Sequence, residues 1–207
     1  MDTFRLTMAQ LNPTVGALAQ NADKAREAWA AGKAAGAHLV ALPEMFLSGY
    51  QVQDMVQKPA FLADCARHLA QLAADCADGP ALGIGLPSAE GAGVCNTWQV
   101  LQGGRVRARI CKHHLPCFNV FDEPRTFLSG DVHGPYTVAG VRLGTPICED
   151  AWHSDVAETL AETGAEILVV PNGSPYFRGK RDIRLGHMVG RVVETGLPLA
   201  YVNMVGE

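Results

Sequence analysis

From Phe4 to Leu11 apolar and polar residues tend toward the alternation of a strand. Asn12-Pro13 closes the run before Ala22, Ala25 and Trp29 recur at helical spacing as far as Gly36. His38–Leu42 is a short apolar run stopped by Pro43, and Leu62, Ala66, Leu69, Ala73 and Cys76 mark one face of a second helix that ends before Gly79-Pro80. Three strand-like runs follow, Ala81–Leu86, Thr97–Leu101 and Val106–Cys111, with Gly91/Gly93 and Gly103-Gly104 supplying hairpin turns, so these strands are expected to be antiparallel neighbours. After a long loop, Val141–Cys148 reads as a strand, Val156, Leu160 and Ala161 as a helix stripe, and Ile167–Pro171 as a fully buried strand. Ile183, Gly186, Gly190 and Val193 give the stripe of another helix, and Leu199–Val205 a final strand. Strands and helices alternating around an antiparallel insert predict an α/β or α+β sandwich with buried sheets.

Nothing in 207 residues divides the pattern: there is no internal repeat, low-complexity tract or linker, so one domain over residues 1–207 is expected. The 17 Lys+Arg against 21 Asp+Glu give a net charge of −4 with no basic stripe, which argues against a nucleic-acid partner and against an anionic membrane surface. Met1-Asp2-Thr3-Phe4-Arg5 puts an acid where a signal peptide carries positive charge, and no apolar run approaches a membrane span. The six cysteines are too few for a disulfide scaffold in a chain this long. Reduced thiols and a cytoplasmic location are the expectation.

Three polar residues stand where buried strands end: Glu44 after Val40–Pro43, Lys112 after Val106–Cys111, and Cys148 after Val141–Ile147. Ligands collect beyond the carboxyl ends of strands in α/β sheets, so residues far apart in sequence can converge there. Singly, each has an ordinary structural explanation: a small core cysteine, a loop carboxylate, a strand-end charge. Together they suit amide hydrolysis through a thioester. The thiol is the nucleophile, Glu44 takes and returns its proton, and Lys112 stabilises the oxyanion with a backbone N–H near Cys148. A Cys-His pairing with His153 or His187 is weaker, because Pro146-Ile147-Cys148-Glu149-Asp150 lacks the flanking glycines of the Gly-x-Cys-x-Gly elbow.

Leu42-Pro43-Glu44, Lys112-His113-His114-Leu115-Pro116 and Ile147-Cys148-Glu149-Asp150-Ala151-Trp152 resemble the Glu, Lys and Cys motifs of the nitrilase superfamily. The Glu-Asp pair after the cysteine, with Val120–Glu123, Asn172–Tyr176 and Lys180-Arg181, narrows the likeness to the glutaminase domain of bacterial glutamine-dependent NAD synthetases, from about Phe4 to Gly206. The resemblance implies a four-layer α-β-β-α sandwich, glutamine as ammonia donor, and Glu44, Lys112 and Cys148 as base, oxyanion stabiliser and nucleophile. It also implies that Phe118, Ser174 and Lys180 hold the glutamine, with Glu123 and Glu149 in support. At Cys117-Phe118-Asn119 the family usually has Asn-Tyr-Gly, so the ring is kept and its hydroxyl lost. Glu123 reads equally well as a loop anchor for Arg125.

The family's Ser-Gly-Gly-x-Asp-Ser phosphate loop is not in these residues, and the chain stops at Glu207, where the family continues into further strands. The resemblance therefore implies a domain truncated at its C-terminal end and self-associating as a homo-oligomer, separated from the synthetase domain that is its partner. No cofactor is expected for the glutaminase step, while ATP and Mg²⁺ belong to the synthetase domain. The alternatives are a stand-alone amidase acting on another amide or carbamoyl group, and a non-catalytic oligomerisation module. Thiol labelling is expected to separate the last, since an activated Cys148 should react fastest near neutrality. Cys111–Cys117 crowds two thiols and two imidazoles into one segment, but strand alternation points His113 and His114 apart and no second ligand pair follows. No metal site is expected.

Overall fold

The computed structural model describes residues 3–206, so Met1, Asp2 and Glu207, which carry the readings of the two chain ends, lie outside the described residues. The first sheet has the order β1-β2-β3-β4-β5, from Leu6–Met8, Leu39–Ala41, Ala81–Glu90, Gly93–Gln102 and Arg105–Cys111. β1, β2 and β3 run parallel, while β3, β4 and β5 form the expected antiparallel set. Gln102 pairs with Arg105 across Gly103-Gly104, both at positive φ, which a tight two-residue hairpin turn demands of its central residues. The second sheet has the order β6-β7-β8-β9, from Tyr136–Val138, Val141–Gly144, Ile167–Asn172 and Leu199–Asn203.

Helices α1 (Leu18–Ala34) and α2 (Pro59–Asp75) cover one outer face, and α3 (Ser154–Glu162) and α4 (Lys180–Thr195) the other. The period-2 alternation of side chains builds the layers. On β2, Val40 packs with Ala22, Ala25 and Trp29 of α1 and Leu69 and Leu72 of α2. Its neighbours Leu39 and Ala41 pack instead with Trp98, Val100 and Ile110 against Val138, Leu143, Val169 and Val202 of the second sheet and Ile147 just beyond β7. On β8, Leu168 turns to α3 and Val170 to α4, leaving Val169 in the layer between the sheets. The result is the α-β-β-α sandwich that the resemblance implies.

Three details depart from the pattern. The run Val141–Cys148 is a strand only to Gly144, because Pro146 has no N–H for a ladder; Cys148 opens a 3₁₀ turn, Cys148–Trp152, at φ +49°. β6 falls in what reads as loop, since only Tyr136 and Val138 of its three residues carry apolar burial. The stripe read on α4 faces outward: Ile183 and Val193 are exposed, and the buried positions are Lys180, Met188 and Arg191. Lys180 and Arg191 are amphipathic, with long apolar stems that can lie against a core, so polarity alone misassigns the face.

Candidate active site

Glu44 sits just beyond β2 in a segment laid across β3, where Leu42 N–H donates to Gly83 O and Leu47 N–H to Gly85 O, each at 2.9 Å. Gly85 leaves the room this crossing needs: a Cβ there would come within 2.7 Å of the Glu44 carbonyl carbon and 2.8 Å of Pro43 O. The Trp98 indole N–H donates to Leu42 O at 2.9 Å and pins the start of the same segment. Lys112 follows β5 directly, its N–H donating to Asn96 O at 2.9 Å and its own carbonyl accepting from Gly130 N–H at 2.8 Å.

These constraints bring the Lys112 ammonium 2.7 Å from Glu44 Oε1 and 2.9 Å from Glu123 Oε2, with both partners' side chains at 4% exposure or less. Asn96 Nδ2 bridges the two carboxylates, donating at 2.8 Å to Glu44 Oε1 and 3.3 Å to Glu123 Oε1, and Tyr50 OH donates to Glu123 Oε1 at 2.7 Å. Glu44 Oε2 is buried without a hydrogen-bond partner, a free basic oxygen. Cys148 comes in beside Gly173, whose backbone favours the thiolate form, while a Cβ on Gly173 would lie 3.1 Å from Glu44 Oε2. Cys148 and the free Glu44 oxygen therefore both border Gly173.

Electrostatics follow from burial and charge. Burial works against the Lys112 charge, but Glu44 and Glu123 outweigh it and hold the ammonium well above its ordinary value. Burial raises the Glu123 carboxyl although Lys112 opposes the rise. Burial, then the nearby Glu44, pushes the Cys148 thiol well above its usual value despite Lys112, so at rest it is a neutral thiol rather than a standing thiolate. This removes the basis for expecting fastest labelling at Cys148, because only the exposed Cys117 is freely accessible.

The turn that carries Cys148 is clamped by Asp150. Its Oδ2 accepts Ile147 N–H at 3.0 Å, and its Oδ1 accepts His113 N–H at 3.1 Å and His114 N–H at 2.7 Å, tying the cysteine turn to the end of the lysine strand. Burial pushes Asp150 up to about 7 against these donors and Lys112. A positive φ at a non-glycine residue such as Cys148 is a strained conformation, held here by that clamp.

The structure joins Glu123 to the cluster, and Arg125 pairs instead with Asp54 at 2.7 Å. Ser174 is buried with its hydroxyl unpartnered. The Lys180 ammonium lies 4.5 Å from the Trp152 ring centroid and 4.8 Å from that of Phe177, and burial lowers its pKa. Phe118 is exposed and meets Phe121 edge-on, and the Glu149 carboxylate lies 3.5 Å from His153 Nε2. His153 and His187 turn to other partners: His153 stacks on His114 and His187 on Trp152. Sequence reasoning missed Asn96, Tyr50, Asp150 and Gly173 as parts of the site. A polar Asn96 inside an otherwise buried strand is the one local signal that points to it.

The model of the carbon-nitrogen hydrolase family matches residues 5–207. A glutamine-dependent NAD(+) synthetase from Rhodobacter capsulatus is 63% identical over 205 residues, which cover 99% of this chain and 37% of that protein. A glutamine-dependent NAD+ synthetase from Acinetobacter baumannii, in complex with ADP, superposes with a TM-score of 0.92 at 29% identity, covering 98% of this chain and 38% of that one. An amidase from Nesterenkonia sp. gives a TM-score of 0.84 at 25% identity, covering 99% of this chain and 77% of that one. The chain thus spans about 37% of the length of the curated synthetases it matches, and a family match over nearly its whole length, on this sandwich, establishes that it belongs to the carbon-nitrogen hydrolase family.

Proposed function

We propose that the chain hydrolyses the side-chain amide of glutamine through a thioester on Cys148, and that the ammonia is used by an ATP- and Mg²⁺-dependent synthetase domain that amidates deamido-NAD. The observation that carries the chemistry is the buried Glu44–Lys112–Glu123 cluster with the free Glu44 oxygen bordering Cys148. The substrate is carried by the names of the synthetases matched at up to 63% identity.

The residues divide the work as follows. As substrate arrives, Glu44 Oε2 takes the thiol proton and the sulfur attacks the amide carbon; the proton then passes to the departing ammonia. Lys112, held charged, stabilises the oxyanion in both half-reactions. Glu44 then activates water, which releases glutamate. Glu123, hydrogen-bonded to Tyr50 and Asn96, holds the ammonium as its second carboxylate partner. Ser174 and Lys180 supply a hydroxyl without a partner and a cation for the polar head of glutamine, Glu149 supports the same end, and Phe118 contributes only its ring.

Intact-mass spectrometry of the protein quenched with glutamine tests this. A glutamyl adduct should map to Cys148, persist with a strong chelator, and vanish together with turnover in Glu44→Gln. An adduct on another cysteine, or turnover abolished by chelator and restored by zinc, overturns the mechanism. Hydrolysis of a different amide or carbamoyl compound in preference to glutamine overturns the substrate alone.

A further inference from the structure

Beside the catalytic cluster lies a second group of chemistry-bearing side chains to which the thioester mechanism gives no task. Among the described residues, His113, His114 and Asp155 each offer a donor atom within 4.8 Å of the other two, His113 and His114 half-buried and Asp155 exposed. The alternation that separates neighbours on a strand ends with β5 at Cys111, so the two imidazoles are free to converge. Their rings meet edge-on with centroids 4.7 Å apart. Asp155 arrives from the first turn of α3, more than forty residues away in sequence, and both its oxygens lie 2.9 Å from His114 Nε2.

The segment is held rigid from below. Both histidine N–H groups donate to Asp150, and Ser129 OH donates to His113 O at 2.6 Å. His113 Nδ1 lies 2.7 Å from Gly130 O. A carbonyl only accepts, so Nδ1 carries the proton and the Nε2 lone pair is left available. A ring nitrogen fixed by a backbone carbonyl is the arrangement that orients metal-binding histidines. A His114–Asp155 ion pair accounts for two of the three side chains, and the bond to Gly130 O accounts for only one ring nitrogen of His113.

We infer that His113, His114 and Asp155 form a binding site for a divalent transition-metal ion, Zn²⁺ by chemistry. Two imidazoles and a carboxylate suit zinc, copper or nickel over calcium or magnesium, which take oxygen ligands. Zinc binds such donors at about 2.0–2.2 Å in a tetrahedron. His114 Nε2 and Asp155 are in direct contact at 2.9 Å, so an ion enters between them by rotation of the exposed Asp155 side chain while Gly130 O keeps the His113 ring in place. Because Asp150 joins both histidines to the Cys148 turn, an ion here fastens the lysine strand to α3 and stabilises the folded chain by mass action. The site stands apart from the glutaminase reading, since none of its ligands is assigned a step in it.

The test is calorimetric titration of Zn²⁺ into a Cys111→Ser/Cys117→Ser background, which removes the two thiols that are not buried, with thermal melts run in parallel. One equivalent should bind and raise Tm. Each of His113→Gln, His114→Gln and Asp155→Asn should weaken binding at least tenfold, the lower end of what loss of a mere supporting partner costs a metal site, which is about 10–100-fold. Co²⁺ in place of Zn²⁺ should give visible absorption without a sulfur charge-transfer band. Failure to bind one equivalent, affinity unmoved by these three substitutions in variants whose unliganded melts match the background, or a sulfur charge-transfer band each overturns the assignment.

Discussion

Lys112→Met is the substitution whose outcome depends most directly on the buried geometry. Methionine keeps an unbranched apolar stem of similar volume, so little cavity forms, but two carboxylates lose the ammonium lying 2.7 and 2.9 Å away. Breaking a buried pair by removing one partner costs about 3–5 kcal/mol. In a domain of this size each kcal/mol moves Tm by about 2–4 °C, so the variant should melt about 6–20 °C lower near neutral pH. The loss should depend on pH in a definite direction. Burial already raises Glu123, and Lys112 is the charge that opposes the rise. Without it the folded pKa moves further above the unfolded carboxylate value of about 4.3. The contribution of such a group is intact below its unfolded pKa and lost as pH climbs through the folded one, by about 1.4 kcal/mol per unit for one proton. The deficit against wild type should therefore be smaller at pH 5 than at pH 8. Scanning calorimetry of both proteins at the two pH values decides it. Equal deficits, or a Tm within about 2 °C of wild type at pH 8, would refute the reasoning. Turnover of glutamine should fall at the same time by roughly 10²–10³, the scale of losing one oxyanion donor.

Cys148→Ala should abolish ammonia release while the chain stays folded, and Cys148→Gly should melt at least as high as Cys148→Ala. A left-handed non-glycine residue costs about 1–2 kcal/mol, against about 0.5–1 kcal/mol of extra backbone entropy for glycine; a clearly lower melt for glycine would show that φ +49° carries no strain. Gly85→Ala should cost about 1–3 kcal/mol or more from overpacking and should lower turnover disproportionately, since its Cβ displaces the backbone of Glu44 itself; normal kinetics in that variant would mean Glu44 does not depend on this crossing. An aromatic disulfide reagent, which carries no amide to mimic substrate, should label exposed Cys117 before buried Cys148 at pH 7, and peptide mapping that finds Cys148 modified first would contradict a neutral resting thiol.

The alternation of strands and helices is legible in the sequence, and the four layers follow from the family resemblance; which face each residue of an all-apolar run takes does not show in its pattern. Only the folded chain turns Val40 and Leu42 to the helices and Leu39 and Ala41 to the other sheet, whereas the Gly103-Gly104 hairpin is written in the sequence by glycine's freedom at positive φ. Glu44, Lys112 and Cys148 could be picked out because each follows a buried run. What they do to one another could not. Which Glu123 oxygen meets Lys112, that Asn96 spans two carboxylates, and that Asp150 ties the cysteine turn to His113 and His114 depend on contacts between residues far apart in the chain. Periodicity also failed where side chains are double-natured. On α4 the stems of Lys180 and Arg191 lie inward while Ile183 and Val193 stay in solvent, because burial is decided by the surface a helix meets and not by its composition. The pKa values separate the two levels most clearly. The sequence specifies a thiol, an ammonium and carboxyl groups with ordinary affinities for protons; in the closed sandwich the removal of water makes Cys148 a protonated thiol, while Glu44 and Glu123, brought beside Lys112, hold it charged against that same loss of water.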